Sequence, residues 1–165
     1  MTYLIDGYNL IYKFPHLEEL MLQDNLMEAR RELLDLLKMF AKLTRKTIRI
    51  VFDGQKTSDI PISSEKVYTI DVYYSLHYSA DFLIKEFIRK DLQPRNTTVV
   101  TSDKDIVEYV SRFKTKTMKS EDFALFVNQT IENFTSSQTP EKEENPNLSQ
   151  KEIEYWERLF TSKKK

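Results

Sequence analysis

Short apolar or β-branched runs followed by an aspartate recur along this chain, and stretches with the apolar spacing of helices separate them. Three predicted strands have this form: 2–5 before Asp6, 47–52 before Asp53, and 97–101 before Asp103. Strands that alternate with helices favour a mostly parallel sheet covered by helices on both faces. We therefore predict a three-layer α/β/α domain.

The remaining elements complete this pattern. Two further strands are predicted at 66–72 and 115–118, and helices are predicted at 24–46 and from Ser79, Ser102 and Ser120. Residues 135–148 are polar, contain two prolines and are predicted to be a linker. Residues 149–165 are predicted to form an amphipathic helix with a basic tail. The predicted organisation is thus a domain over 1–134, a linker and a C-terminal helix.

Composition excludes several classes of protein. The absence of cysteine excludes disulfides, thiolate catalysis and cysteine-based zinc sites. A net charge of −1 argues against a protein that coats nucleic acid by bulk electrostatics. The first residues have no signal-peptide pattern, and no apolar run is long enough to span a membrane. We expect a cytoplasmic protein without a membrane partner.

Five aspartates are expected at one edge of the predicted sheet, because ligands of open α/β sheets bind outside the carboxyl ends of the strands. They are Asp6, Asp53, Asp81, Asp103 and Asp105. Carboxylates so close together repel one another unless a cation neutralises them, and Mg²⁺ and Mn²⁺ prefer such oxygen ligands. The set predicts a divalent metal site suited to phosphodiester chemistry. Taken singly, Asp81 and Asp105 also suit helix capping, and Asp53 also suits a turn.

Four sequence blocks carry a resemblance to a known family. They are Leu4-Ile-Asp-Gly-Tyr-Asn-Leu-Ile11, Phe52-Asp53-Gly54, Ser79-Ala-Asp81-Phe-Leu-Ile84 and Val100-Thr-Ser-Asp103-Lys-Asp105. In this order they resemble NYN domains of the PIN-like nuclease superfamily, and within these the YacP-like bacterial proteins. The resemblance covers about residues 2–134. It implies a PIN-like sheet and an endoribonuclease that depends on Mg²⁺ or Mn²⁺. Because characterised relatives include a ribosome-associated mRNA endonuclease, it also implies mRNA and the ribosome as partners.

The resemblance also implies roles for individual residues. Asp6, Asp81 and Asp103 fall on the acidic positions of the family and Asn9 on its signature asparagine, so these four are the predicted catalytic residues. The three aspartates are the predicted metal ligands, assisted by Asp53 or Asp105. Asn9 has an alternative role as a turn residue that bonds its own backbone.

Aromatic and basic residues near the predicted site are candidates for RNA contact. Tyr8 and Tyr12 could stack on unpaired bases, and Arg45 and Lys46 could bind phosphates. Each also has a plain structural interpretation, as a core aromatic or a solvated charge. His77, one of two histidines, is expected in an exposed loop rather than in catalysis.

Three competing interpretations remain at this point. The first is a catalytically inactive RNA- or ribosome-binding module on the same fold. The second takes Asp103 and Asp105 as the Asp-x-Asp of a Toprim-type domain, although such a site also needs a glutamate where this chain has Asp6. A dinucleotide site is the poorest match, since the chain has no glycine-rich phosphate loop. The sequence does not give the oligomeric state.

Overall fold

The computed structural model describes residues 1–54, 62–76 and 78–137, and the fold is a mixed α/β sheet covered by helices. Six strands form one sheet in the order β3-β4-β2-β1-β5-β6. The strands are β1 Thr2–Asp6, β2 Thr47–Asp53, β3 Ile62–Val67, β4 Ile70–Ser75, β5 Thr97–Val100 and β6 Lys116–Met118. The helices are α1 Gly7–Ile11, α2 Pro15–Leu22, α3 Leu26–Thr44, α4 Ala80–Lys90, α5 Lys104–Ser111 and α6 Ser120–Ser137, with a 3₁₀ turn at Pro94–Asn96.

The sheet is parallel except for its outermost strand, β3. β1 lies at its centre, between β2 and β5, and only β3 runs antiparallel to its neighbour β4 among the described strands. Asp6 is in register with Val51, and Asp53 with Ser75. The carboxyl ends of the parallel strands therefore share one edge, and the predicted mostly parallel sheet is confirmed.

Helices cover both faces of the sheet, as the strand and helix pattern predicts. On one face, Tyr3 and Ile5 of β1 join a large core with α1, α2, α3 and α6. On the other face, Leu4 joins a smaller core with α4 and α5. Successive side chains of a strand point to opposite faces, so a central strand buried on both sides is apolar throughout. This explains the uninterrupted Tyr3–Ile5 run and makes Asp6 the first charged group at its end.

The prediction of one strand at 66–72 is wrong, because that range spans a hairpin. β3 and β4 pair with Val67 opposite Ile70, which leaves a two-residue turn at Tyr68 and Thr69. Tyr68 has φ 59°, although glycine or asparagine normally marks such a turn. Contacts with α3 hold it: the Tyr68 hydroxyl donates to Asp35 Oδ1 at 2.7 Å, and Lys38 Nζ lies 4.2 Å from the ring centroid.

The remaining boundaries differ in smaller ways. α3 and β5 are each shorter than predicted, and α1 and α2 occupy a stretch in which no element is predicted. α6 continues to Ser137, which takes in the first three residues of the predicted linker. The rest of that linker, the predicted C-terminal helix and His77 lie outside the described residues. Within the described part, no helix is both long and apolar enough to cross a membrane.

Gly7 is required by close packing of α1 against β2. A Cβ on Gly7 would lie 2.5 Å from ring atoms of the buried Phe52 and 2.9 Å from the carbonyl oxygen of Val51. At Gly54, the nearest atom to such a Cβ is the end of the Leu76 side chain, at 2.6 Å, which can move.

We expect Gly7→Ala to lower the free energy of unfolding by about 1–3 kcal/mol, the usual cost of overpacking a core. Gly54→Ala should lower it by less than about 1 kcal/mol, because a flexible side chain gives way there. Urea denaturation of both variants at one pH measures the difference. Equal losses would contradict the packing explanation for Gly7.

Candidate metal centre

Three aspartates occupy the carboxyl edge of the sheet by virtue of the strands that precede them. Asp6 and Asp53 are the last residues of β1 and β2, and Asp103 is the N-cap residue of α5, three residues beyond β5. Electrostatic repulsion from Asp103 and Asp53 reaches Asp6, so the three carboxylates lie within one neighbourhood. The structure thus places these three residues of the predicted set at the same edge of the sheet.

Asp6 is the most perturbed acid of this edge. Burial raises the pKa of its carboxyl group to about 6. The hydrogen bond from the Thr101 hydroxyl, 3.1 Å from Asp6 Oδ2, opposes the rise, as does the backbone N–H of Asn9. The negative charges of Asp103 and Asp53 add to the rise. Among the described residues no basic side chain pairs with Asp6, which leaves a partly buried carboxyl group with neighbours of its own sign.

Thr101 links Asp6 to Asp103. Its hydroxyl donates to Asp6 and accepts from the backbone N–H of Asp103 at 3.1 Å. Asp103 Oδ1 in turn accepts from the backbone N–H of Asp105 at 2.9 Å, as an N-cap side chain does. The β5–α5 loop is thereby fixed against the end of β1. Thr101 is fully buried. From the sequence it is predicted as part of a strand and not as a site residue.

Asp53 joins the sheet to α4. Its Oδ1 accepts from the Ser75 hydroxyl at 3.1 Å and from the backbone N–H of Ala80 at 2.8 Å. Ser79 caps the same helix by accepting from the backbone N–H of Phe82 at 3.0 Å. These bonds fix the first turn of α4, which carries Asp81.

Asp81 and Asp105 share a cation from the protein itself. Lys85 Nζ lies 3.2 Å from Asp81 Oδ1 and 2.5 Å from Asp105 Oδ2. Hydrogen bonding to Asp105, the larger cause, and the charge of Asp81 raise the pKa of Lys85, so the ammonium form is favoured. Asp81 Oδ1 is buried, and apart from this ion pair it accepts no well-aligned hydrogen bond from the described residues. Lys85 is absent from the predicted site, although an acid four residues before a lysine on a helix is a recognisable pair.

Asn9 uses its side-chain oxygen to hold two other elements in place. Oδ1 accepts from the backbone N–H of Ser102 at 3.0 Å and from the Ser120 hydroxyl at 2.5 Å. It therefore ties α1 to the β5–α5 loop and to the start of α6. In this arrangement Asn9 contributes to the edge by positioning the backbone beside Asp103. Its predicted catalytic role stays a prediction.

The donor chemistry of this edge fits a divalent cation, but the side chains are not gathered around one point. The partly buried Asp6 carboxyl group, which has no basic partner among the described residues, is a group that a cation would stabilise. Yet within residues 1–54, 62–76 and 78–137, no three His, Asp or Glu side chains are close enough together to hold one ion. If three of these carboxylates were to bind one ion, their side chains would have to move, and Asp81 and Asp105 would have to exchange Lys85 for the ion.

The predicted RNA contacts divide between the two edges of the sheet. Tyr8 lies beside the acidic edge, and Tyr12 is exposed at the end of α1. Arg45 and Lys46 precede β2 and so lie at the opposite edge, roughly 20 Å from Asp53 for a strand of this length. Arg45 and Lys46 therefore do not reach the edge that carries the aspartates, because they lie at the start of β2 and Asp53 lies at its end.

An α/β/α domain with a mostly parallel sheet and acids at its carboxyl edge is thus the class that fold and site define. A family model described as "YacP-like NYN domain" matches residues 3–161 of this sequence. The chain belongs to that family, which confirms the resemblance carried by the four sequence blocks. The match also extends well beyond residue 134, where the motif-based resemblance ends, so our limit for that resemblance was too short.

Solved structures support the same fold. The chain is similar to the crystal structure of a point mutant of Rae1 (YacP) from Bacillus subtilis, with a TM-score of 0.69 and 18% identity over 96% of this chain and 99% of that one. It is similar to a second crystal structure of Rae1 (YacP) from Bacillus subtilis, with a TM-score of 0.64 and 20% identity over 98% of this chain and 91% of that one. No curated protein matches this sequence significantly. Family membership supports a nuclease-family, RNA-related function.

Proposed function

We propose that this protein is an endoribonuclease that depends on Mg²⁺ or Mn²⁺ and cuts single-stranded RNA. The observation that carries the proposal is Asp6: a partly buried carboxyl group, close to Asp103 and Asp53, that pairs with no basic side chain of the described residues. Such a group is unfavourable in a structural role, since it loses hydration and is repelled by its acidic neighbours. It becomes favourable when a cation binds beside it.

The ligands in this proposal are Asp6 and Asp103, with Asp53, Asp81 and Asp105 as further oxygen donors. The chemistry that a divalent cation supplies at such a site is activation of a water and stabilisation of charge on the phosphate and the leaving oxygen. Thr101 and the backbone of Asn9 orient the Asp6 carboxyl group. Lys85 neutralises Asp81 and Asp105 when no other cation is near.

We further propose mRNA on the ribosome as the substrate, and the cytoplasm as the place of action. Membership of the YacP-like family supports this. A net charge of −1 gives the chain little bulk attraction for RNA, which fits a protein whose substrate is presented by a larger partner.

The test incubates the full chain with end-labelled mRNA, either free or in a programmed translating ribosome complex, with Mn²⁺, Mg²⁺ or EDTA. We expect discrete cleavage products with either metal, at least in the ribosome complex. The EDTA sample uses free mRNA, because EDTA also removes the Mg²⁺ that holds the ribosome together, and no cleavage is expected there. Equal cleavage with EDTA would contradict the metal dependence.

A catalytically inactive RNA- or ribosome-binding module is the second candidate. Two observations favour it. Lys85 already compensates the charges of Asp81 and Asp105, and no three acids of the described residues converge on one point. Co-sedimentation with ribosomes, together with no cleavage in the programmed complex at any metal concentration, would decide for this candidate.

A further inference from the structure

An open cleft of about 370 Å³ lies beside the acidic edge, between the start of α3 and the ends of β2 and β4. Asp53, which interacts electrostatically with Asp6, is one of its lining residues. Its volume is within the range of small-molecule sites in proteins, roughly 300–1,000 Å³. The cleft is therefore large enough to hold one nucleotide and adjoins the proposed metal centre.

Arg30 is the basic residue among those that line the cleft. Its Nη1 donates to the Tyr8 hydroxyl at 3.2 Å, and its guanidinium carbon lies 5.4 Å from the centre of the Tyr74 ring. Arg30 forms no ion pair with a described carboxylate, whereas its neighbour Arg31 pairs with Glu28 and Asp35. A partly buried guanidinium group without an acidic partner is suited to bind a phosphate or to stack on a base.

Aromatic rings form the wall behind Arg30. Tyr8 packs on Phe52 with ring centroids 5.1 Å apart, and Phe52 stacks on Tyr74 at 6.0 Å with an interplanar angle of 23°. Tyr8 and Tyr74 are each only partly buried and line the cleft, and Met27 beside them is 76% exposed. Partly exposed aromatic rings next to an arginine can pack against unpaired bases.

We propose that this cleft is a nucleotide subsite, which takes one unpaired nucleotide of single-stranded RNA next to the position of cleavage. Arg30 contacts the phosphate, and Tyr8 and Tyr74 pack against the base. This inference rests on the proposed function for the identity of the ligand. It assigns substrate binding to Arg30 and Tyr74, in place of Arg45 and Lys46 at the other edge of the sheet.

The test is an NMR titration of the ¹⁵N-labelled full chain with hexauridylate in EDTA, so that no cleavage occurs and weak binding is still detected. We expect the amide signals of Leu26 and Gly54 to shift in the wild-type protein. Arg30→Met should weaken binding by about tenfold, because it removes a charge-assisted contact. Arg31→Met removes the same charge from the next residue and should weaken binding less than about twofold.

Three results would overturn the subsite. The first is a wild-type titration in which the amide signals of the cleft do not shift. The second is an equal loss of RNA affinity in the Arg30→Met and Arg31→Met variants. The third is that a hexameric acidic peptide shifts the same signals as much as hexauridylate does, which would indicate a protein ligand. The outcome is separable from that of the proposed function. If the protein cleaves RNA with metal but the cleft does not bind hexauridylate, only the subsite is rejected. If the cleft binds hexauridylate but no RNA is cleaved, only the proposed nuclease activity is rejected.

Discussion

Asp6→Asn should reduce metal-dependent RNA cleavage by more than about 100-fold. Even residues that only orient metal ligands contribute about 10–100-fold. Asp6 is a proposed ligand itself, partly buried and without a basic partner among the described residues. The amide keeps the size of the side chain and an oxygen that can accept the Thr101 hydrogen bond, so the change removes charge rather than shape. The rate is measured as initial cleavage of mRNA in the programmed ribosome complex with Mn²⁺.

Asp71→Asn is the matched control for this loss. Asp71 belongs to β4, near the opposite edge of the sheet, and pairs with Lys66 at 3.0 Å. The Asp71→Asn substitution changes the net charge by the same amount as Asp6→Asn. It should leave the cleavage rate within about twofold of the wild-type rate, since exposed ion pairs contribute little. Wild-type activity of Asp6→Asn, or an equal loss in both variants, would remove Asp6 from the metal centre.

The same Asp6→Asn variant should be more stable than the wild-type protein, by up to about 3 kcal/mol in EDTA above pH 7. Burial raises the pKa of Asp6 to about 6 in the folded protein, against an ordinary value of 3.8. A rise of about two pKa units corresponds to about 3 kcal/mol. The folded state then binds the proton more tightly than the unfolded state does, so Asp6 costs the wild-type protein stability as it ionises.

The upward shift of the Asp6 pKa defines the pH range in which Asp6→Asn should stabilise the protein. Below about pH 4 the carboxyl group is protonated in both states, and the free energies of unfolding of variant and wild type should be similar. The difference should grow from about pH 4 to about pH 6 and stay constant above. Urea denaturation across this range measures it, and Mn²⁺ at pH 8 should stabilise the wild type but not the variant. A less stable variant at pH 8 would mean that the carboxylate has a favourable partner in the folded protein.

Strand pattern and topology predicted most of the fold and the position of the acids. The buried strand Thr2–Asp6 is recognisable because it is apolar from Tyr3 to Ile5, and the rule that ligands bind at carboxyl ends predicts Asp6, Asp53 and Asp103 at one edge of the sheet, where the structure has them. These inferences depend on backbone direction alone. That is why they hold without knowledge of any side-chain contact.

Features that depend on contacts between distant residues could not be predicted in this way. The turn at Tyr68 is held by Asp35 and Lys38 of α3, not by its own residue type. Placing Arg30 at the cleft depends on the packing of α3 against β2 and β4. The basic residues of α3 and its exit look alike in sequence, and only the fold separates Arg30, beside the acidic edge, from Arg45 at the other edge.

The proposed nuclease depends on divalent metal held between carboxylates that different parts of the chain contribute. The most direct test is a crystal of the protein soaked in Mn²⁺ and measured for anomalous scattering. We predict one or two peaks between Asp6 and Asp103, with Lys85 displaced from Asp81. The shared-ion site would be contradicted if crystals soaked in saturating Mn²⁺ showed no anomalous peak at this edge and Lys85 was still paired with Asp81 and Asp105.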